Sequence, residues 1–115
     1  MARGIIPLNT PAAARTCVEP VDKAATATEF DKYLSNGNEF LVATNGHTAA
    51  INVIVRHPDE PNCIAFTCVV PPSEERILPK FGPEWRQADG YIYVDASAVT
   101  NLSYRLYSCD PTPSY

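Results

Sequence analysis

The sequence predicts an all-β protein, an antiparallel β-sandwich or small barrel with an extended N-terminal arm. Three observations carry this expectation. Apolar and polar residues alternate over short segments, the period of a half-buried strand. These segments recur at a spacing of about 8–12 residues with turn chemistry between them, as in sandwiches and barrels. Eleven prolines stand against five glycines in 115 residues. Proline lacks the amide hydrogen and clashes inside a helix, so long helices are excluded.

The chain has the size of one domain, 115 residues. It divides into an extended, proline-rich arm over residues 1–21, a sandwich domain over 22–108 and a tail over 109–115. In the arm, Pro7, Pro11 and Pro20 favour extended backbone and suppress both helix and ladder pairing. Ile5, Ile6, Leu8 and Val18 give it apolar anchors, which a purely solvating tail lacks. The arm is therefore either a loose terminus or a segment that orders on a partner.

Residues 22–36 read two ways. Phe30, Tyr33 and Leu34 have helical spacing, Asp22 offers an N-cap and Asn36-Gly37 a stop, whereas Thr26 and Thr28 favour extended backbone. From residue 39 the period is two. Glu39 to Thr44 reads as a strand buried on both faces, and Asn45-Gly46 after it is a strong hairpin signal. Ala50 to Arg56 follows as a strand with Ile51, Val53 and Val55 on one face. A loop holding Pro58 and Pro61 leads to a third strand, Cys63 to Val70, with Ile64, Phe66, Cys68 and Val70 on one face. Pro71-Pro72 ends it, and Glu74 to Pro79 allows a short fourth strand. After a long loop, Asp89-Gly90 turns the chain into Tyr91 to Asp95; a corner at Ala96-Ser97 precedes the last strand, Val99 to Tyr107.

Composition narrows the function. The net charge of −4 disfavours a protein that grips nucleic-acid phosphates. No segment approaches the ~20 apolar residues of a membrane helix, and the N-terminal apolar stretch, broken by Pro7, is too short for a secretion signal. Export is not expected, so Cys17, Cys63, Cys68 and Cys109 are read as free thiols. Cys63 and Cys68, five apart, would lie on opposite faces of a regular strand, which argues against zinc. No cofactor or metal is expected.

Catalysis finds little support. No Gly-x-Ser-x-Gly elbow and no glycine-rich phosphate loop is present. His47 and His57 read as surface residues, and the pairs Asp59-Glu60 and Glu74-Glu75 as solvated loop charge. The chain is read as a non-enzyme. The glycosylation sequon Asn101-Leu102-Ser103 falls in a strand of a chain with no export signal and is read as chance. One loop is richer: Lys80-Phe81-Gly82-Pro83-Glu84-Trp85-Arg86. Its aromatics either cap an open end of the sandwich or, with arginine, form a contact surface. Stacking on single-stranded nucleic acid is opposed by the acidic body.

The order of turns and strands over residues 28–108 resembles a group of small β-sandwich virion proteins of tailed bacteriophages. The likeness runs through Asn36-Gly37, the strand to Thr44 and Asn45-Gly46, the strand ending in a proline loop at Pro58, and Val69-Val70-Pro71 with Glu75-Arg76 after it. It is clearest from Phe81-Gly82-Pro83 through Gln87-Ala88-Asp89-Gly90, the Tyr91 to Asp95 strand, and the corner Ser97-Ala98-Val99-Thr100. The resemblance implies a structural virion protein that binds and stabilises a capsid: a decoration (cement) protein on the capsid surface, made in the host cytoplasm, assembled as a homotrimer on the major capsid protein. Arg3, Ile5, Ile6, Leu8 and Arg15 would be the arm's contacts with neighbouring capsomers, and Phe81, Trp85 and Arg86 part of an interface. The alternatives are a neck or tail-terminator component and a small carbohydrate- or peptide-binding sandwich with Trp85 and the tyrosines as platform. Neither nucleic acid nor membrane is an expected partner.

Overall fold

The computed structural model describes residues 3–9, 22–27, 30–35, 37 and 39–108. These residues form a β-sandwich of two sheets with no helix beyond one 3-10 turn, Pro83–Trp85. The strands are β1 (Gly4–Ile5), β2 (Leu8–Asn9), β3 (Lys23–Ala24), β4 (Asp31–Leu34), β5 (Glu39–Asn45), β6 (Ile51–Val55), β7 (Phe66–Val70), β8 (Glu75–Ile77), β9 (Tyr91–Ala96) and β10 (Leu102–Ser108). The first sheet has the order β1-β4-β9-β6-β7 and the second β2-β10-β5-β8, with β3 also on β10. Both are mixed, because β1 runs parallel to β4 and β2 parallel to β10.

The core follows the expected alternation. Ile51, Val53 and Val55 of β6 and Ile92 and Val94 of β9 face Leu41 and Ala43 of β5 and Leu102, Tyr104 and Leu106 of β10. Their burial is the main driving force of the fold, about 25 cal/mol for each Å² of apolar surface removed from water. β7 begins at Phe66, later than its sequence pattern suggests. Ile64 lies in the preceding loop and is exposed, while Phe66, Cys68 and Val70 share the inward face.

Residues 22–35, open between helix and strand in the sequence, hold no helix where described: Lys23–Ala24 and Asp31–Leu34 are strands, with a turn at Ala27 between them. Asp22 does not cap a helix; it pairs with Arg105 on β10. Asp31, at the start of β4, is buried and takes Lys23 at 2.7 Å together with the backbone N–H and hydroxyl of Thr26. These bonds tie β3 of the second sheet to β4 of the first.

Asn45-Gly46 does not make a hairpin. β5 pairs with β10 and β8, and β6 with β7 and β9, so the turn carries the chain from one sheet to the other. Long-range bonds decide this. The buried Asn45 amide donates to the carbonyls of Ala49 (2.9 Å) and Val70 (3.0 Å), and its oxygen accepts from the N–H of His47. Gly46 N–H donates to the carbonyl of Asn101, tying the corner to the start of β10. Asp89-Gly90, by contrast, is a true turn. Gly90 has φ +85°, where glycine alone is unstrained, and the Gln87 N–H bonds the Tyr91 carbonyl across it.

The N-terminal segment corrects another expectation. Residues 3–9 do not suppress ladder pairing: Gly4–Ile5 extend the first sheet and Leu8–Asn9 the second, with Ile6 and Pro7 crossing between them. Ile6 is 2% exposed and belongs to the core. Residues 10–21 and 109–115 of the expected arm and tail lie outside the described residues.

Candidate functional site

Three places hold the residues singled out in the sequence. The first is the strap formed by residues 3–9. Its Arg3 guanidinium meets the Asp95 carboxylate at 2.5 Å, donates to the Asp31 carbonyl and lies 4.3 Å from the centre of the Tyr93 ring. Asp95 also takes the Arg56 guanidinium at 2.9 Å, so one buried carboxylate serves two arginines. That hydrogen bond, more than the opposing desolvation, holds the Arg56 pKa above its ordinary value. Gly4 sits against Asp31, Thr26 and Lys23; a Cβ there would lie 2.6 Å from the Asp31 carboxylate, so a larger residue would displace these side-chain ends. Arg3 and Ile6, expected as partner contacts, are thus engaged within the domain. Ile5 (57% exposed) and Leu8 remain open to solvent, and Arg15 lies outside the described residues.

The second place is the aromatic loop. Phe81 is buried, with its ring centre 5.4 Å from Phe66 and 4.9 Å from Trp85. Trp85 is half-buried against the core and meets the His57 ring edge at 4.7 Å. Of the two readings left open by the sequence, the packing of these two residues against the core is the one the capping reading expects. Arg86 alone of the three is exposed, and it donates to the Ser35 carbonyl. His57 Nδ1 accepts the Asp59 N–H, which holds the ring in the loop between β6 and β7.

The third place was not visible in the sequence. Beside the strap lies a groove of about 490 Å³ lined by Ile5, Leu8, Leu34, Glu39, Tyr91 and Leu106. Leu34 is 62% exposed. On the adjoining outer face of the first sheet, Lys32 lies 4.2 Å from the Tyr91 ring centre and pairs with Asp89, which also accepts the Tyr93 hydroxyl. The slight burial of Asp89 opposes its ionisation. The Tyr91 N–H, Lys32 and the Tyr93 hydroxyl outweigh it and hold the carboxyl below the usual range. The result is an apolar and aromatic patch fixed by charged neighbours, of which Ile5 and Leu8 stood out in the sequence as apolar anchors.

No family model, curated protein or solved structure matches the chain. The site is therefore read from its own geometry. Among the described residues no group of three or more His, Cys, Asp and Glu could hold a metal. Cys63 and Cys68 are free thiols, Cys63 in the loop before β7 and Cys68 within that strand, while Cys17 and Cys109 lie outside the described residues. Burial raises the Cys68 pKa against the opposing pull of Arg76. His47 lies at the inter-sheet corner, with its N–H held by Asn45. Among the described residues no helix is long and apolar enough to cross a membrane.

Proposed function

We propose that the protein is a structural component of a tailed-phage particle, a decoration protein that binds and stabilises the capsid through the strap edge of its sandwich. The observation that carries this reading is the exposed patch of Ile5, Leu8 and Leu34 beside the Tyr91 groove, set on two hydrogen-bonded sheets. Contiguous apolar surface on a small domain marks a contact with another macromolecule. A rigid platform of this kind loses little conformational freedom on binding, so modest patches suffice when many copies act together. The resemblance of its order of turns and strands to small virion proteins supports reading the capsid as that macromolecule. The aromatic loop supports adhesion only through Arg86, since Phe81 and Trp85 are committed to the domain. That commitment also weighs against Trp85 as a carbohydrate platform.

The test is a binding assay with shells of the major capsid protein that lack this component. Wild-type protein should sediment with the shells and raise their disruption temperature, and Leu34→Asp should lose both effects while keeping its circular dichroism. Equal binding by Leu34→Asp would sink the assignment of the patch. Copy number in purified particles separates the readings. Many copies per shell support decoration, whereas a single ring's worth would place the protein at the neck or tail terminus.

A further inference from the structure

The first sheet has two unlike edges. On the strap side β1 adds two residues to β4; on the other side, among the described residues, β7 pairs with β6 alone. A free strand edge presents unpaired N–H and C=O groups, and proteins blunt such edges with short strands, charged residues, proline or a bulge. Other strands at the sheet edges follow that rule. β1, β2 and β3 have two residues each, and β8 has three, of which Glu75 and Arg76 are charged. β7 does not follow it. It runs for five residues, Phe66–Val70, in unbroken register with β6. From Cys63 to Val70 the sequence holds no charge, no proline and no glycine. Val69 is 55% exposed on the strand, and Ile64, two residues ahead of it, is 89% exposed.

The direction of the free backbone groups follows from the neighbouring pair. Ser97 N–H donates to the Asn52 carbonyl and Arg56 N–H to the Tyr93 carbonyl, both between β6 and the β9 segment. Alternate residues of a strand turn their backbone groups to opposite sides. Asn52, Ile54 and Arg56 thus serve β9, and Ile51, Val53 and Val55 serve β7. Their register partners Val70, Cys68 and Phe66 are bonded to β6. Thr67 and Val69 are left with N–H and C=O turned to the open edge, one on each side of Cys68.

We infer that β7 is a dimerisation edge: it pairs antiparallel with β7 of a second copy, Thr67 opposite the partner's Val69, and joins two first sheets into one. The arrangement of the free groups suits a second copy. A two-fold axis at Cys68 makes two hydrogen-bonded pairs, each exchanging both N–H···O bonds, so every outward group of Thr67 and Val69 finds its partner. Charge suits it too. A chain of net charge −4 repels its own copy in general, but the uncharged Cys63–Val70 segment sets no like charges opposite each other. Arg76 acts on Cys68 from β8 but is paired with Glu74 at 2.9 Å. The pairs formed, threonine against valine, are both β-branched, a favoured cross-strand combination. The contact is isologous and closes at two copies. It lies at the edge away from the strap, leaves Ile5, Leu8 and Leu34 free, and does not rest on the capsid reading.

The test is sedimentation of the full-length protein over a range of concentrations, with charge changes at the two outward positions. Wild type should pass from monomer to dimer. Thr67→Lys/Val69→Lys and Thr67→Glu/Val69→Glu should each dissociate at least about ten-fold more readily, because like charges then face each other; an equal mixture of the two should form a mixed dimer. Both positions are exposed, so circular dichroism should be unchanged. In the wild-type dimer, mild oxidation should link Cys68 to the partner's Cys68, found by mass spectrometry, since Cα atoms of such a pair lie about 4.5 Å apart. A wild type that stays monomeric, or forms a trimer without this link, would overturn the inference. So would a dimer that survives both charge variants, or one that Leu34→Asp abolishes, which would put the contact at the strap edge. Loss of capsid binding by Leu34→Asp with the dimer intact is the expected result, so the two proposals fail separately.

Discussion

Replacing Asn45 with alanine separates an inter-sheet corner from an exposed hairpin turn. The Asn45 amide nitrogen lies 2.9, 3.0 and 3.3 Å from the carbonyls of Ala49, Val70 and Pro71, and its oxygen accepts the His47 N–H at 2.8 Å. An amide has two donor hydrogens, so two of the three carbonyls are fully served, and with the His47 bond three good hydrogen bonds are lost on truncation. At about 1 kcal/mol net for each, and with buried carbonyls left unsatisfied, Asn45→Ala should cost roughly 3 kcal/mol. For a domain of this size that is a fall in Tm of roughly 10–15 °C. Denaturant titration with an unchanged m-value would confirm that native stability has changed and not the denatured state. Asn45→Asp should be at least as damaging at neutral pH, because it turns a carboxylate oxygen toward carbonyls that need a donor. A loss below about 1 kcal/mol for Asn45→Ala would refute the reasoning: the side chain would then be solvated, and the corner held by something else.

Other substitutions probe the remaining contacts. Ile6→Ala should destabilise by about 2–4 kcal/mol in equilibrium unfolding, the cost of a core cavity, whereas a free arm would show no change. The Tyr33 hydroxyl is buried with no hydrogen-bond partner among the described residues, and burial, then the charge of Glu39, raises its pKa. Tyr33→Phe should therefore leave stability unchanged or raise it by about 1–3 kcal/mol; a measured loss would reveal a hidden partner. Asp89 has a folded pKa below its unfolded value, so its contribution is present above the ordinary carboxylate range near pH 4 and fades as pH falls through the lower folded value. Asp89→Asn should flatten the acid limb of stability against pH, and an unchanged limb would discount the Lys32 and Tyr93 contacts.

The parts of the fold that the sequence displayed are those with several alternating residues in a row. β6 shows Ile51, Val53 and Val55 in regular alternation, and β9 shows Ile92 and Val94. β1, β2 and β3 pair over two residues each and leave no periodic trace. Asn45-Gly46 misleads for a different reason. Its hairpin signal describes local backbone preference, but the bonds that prevail reach Val70 and Asn101. The candidate site was legible in part. Ile5 and Leu8 were flagged as apolar anchors and are exposed at the strap edge, but Leu34 and Tyr91 join them only through the β4–β9 register. Phe81 and Trp85 stood in a loop whose composition suits a cap and a contact surface equally, and only their burial distinguishes the two. The Arg3–Asp95 pair joins residues 92 positions apart, beyond any local pattern.

Proline shows how a correct local rule can give a wrong tertiary expectation. Pro7 removes a backbone donor, which suggests that its segment cannot join a ladder. The ladder needs no donor there. Ile6 gives its N–H to the Lys32 carbonyl as the last bond of the strap to the first sheet, and the next strand residue, Leu8, already belongs to the second. Pro7 occupies the one step between them, outside both ladder registers. Its fixed φ also narrows the unfolded ensemble of the crossing. Replacing it with alanine would therefore restore a donor with no ladder partner and loosen the crossing, so the strap should be held less firmly by Pro7→Ala, although no contact of a side chain with the core is lost.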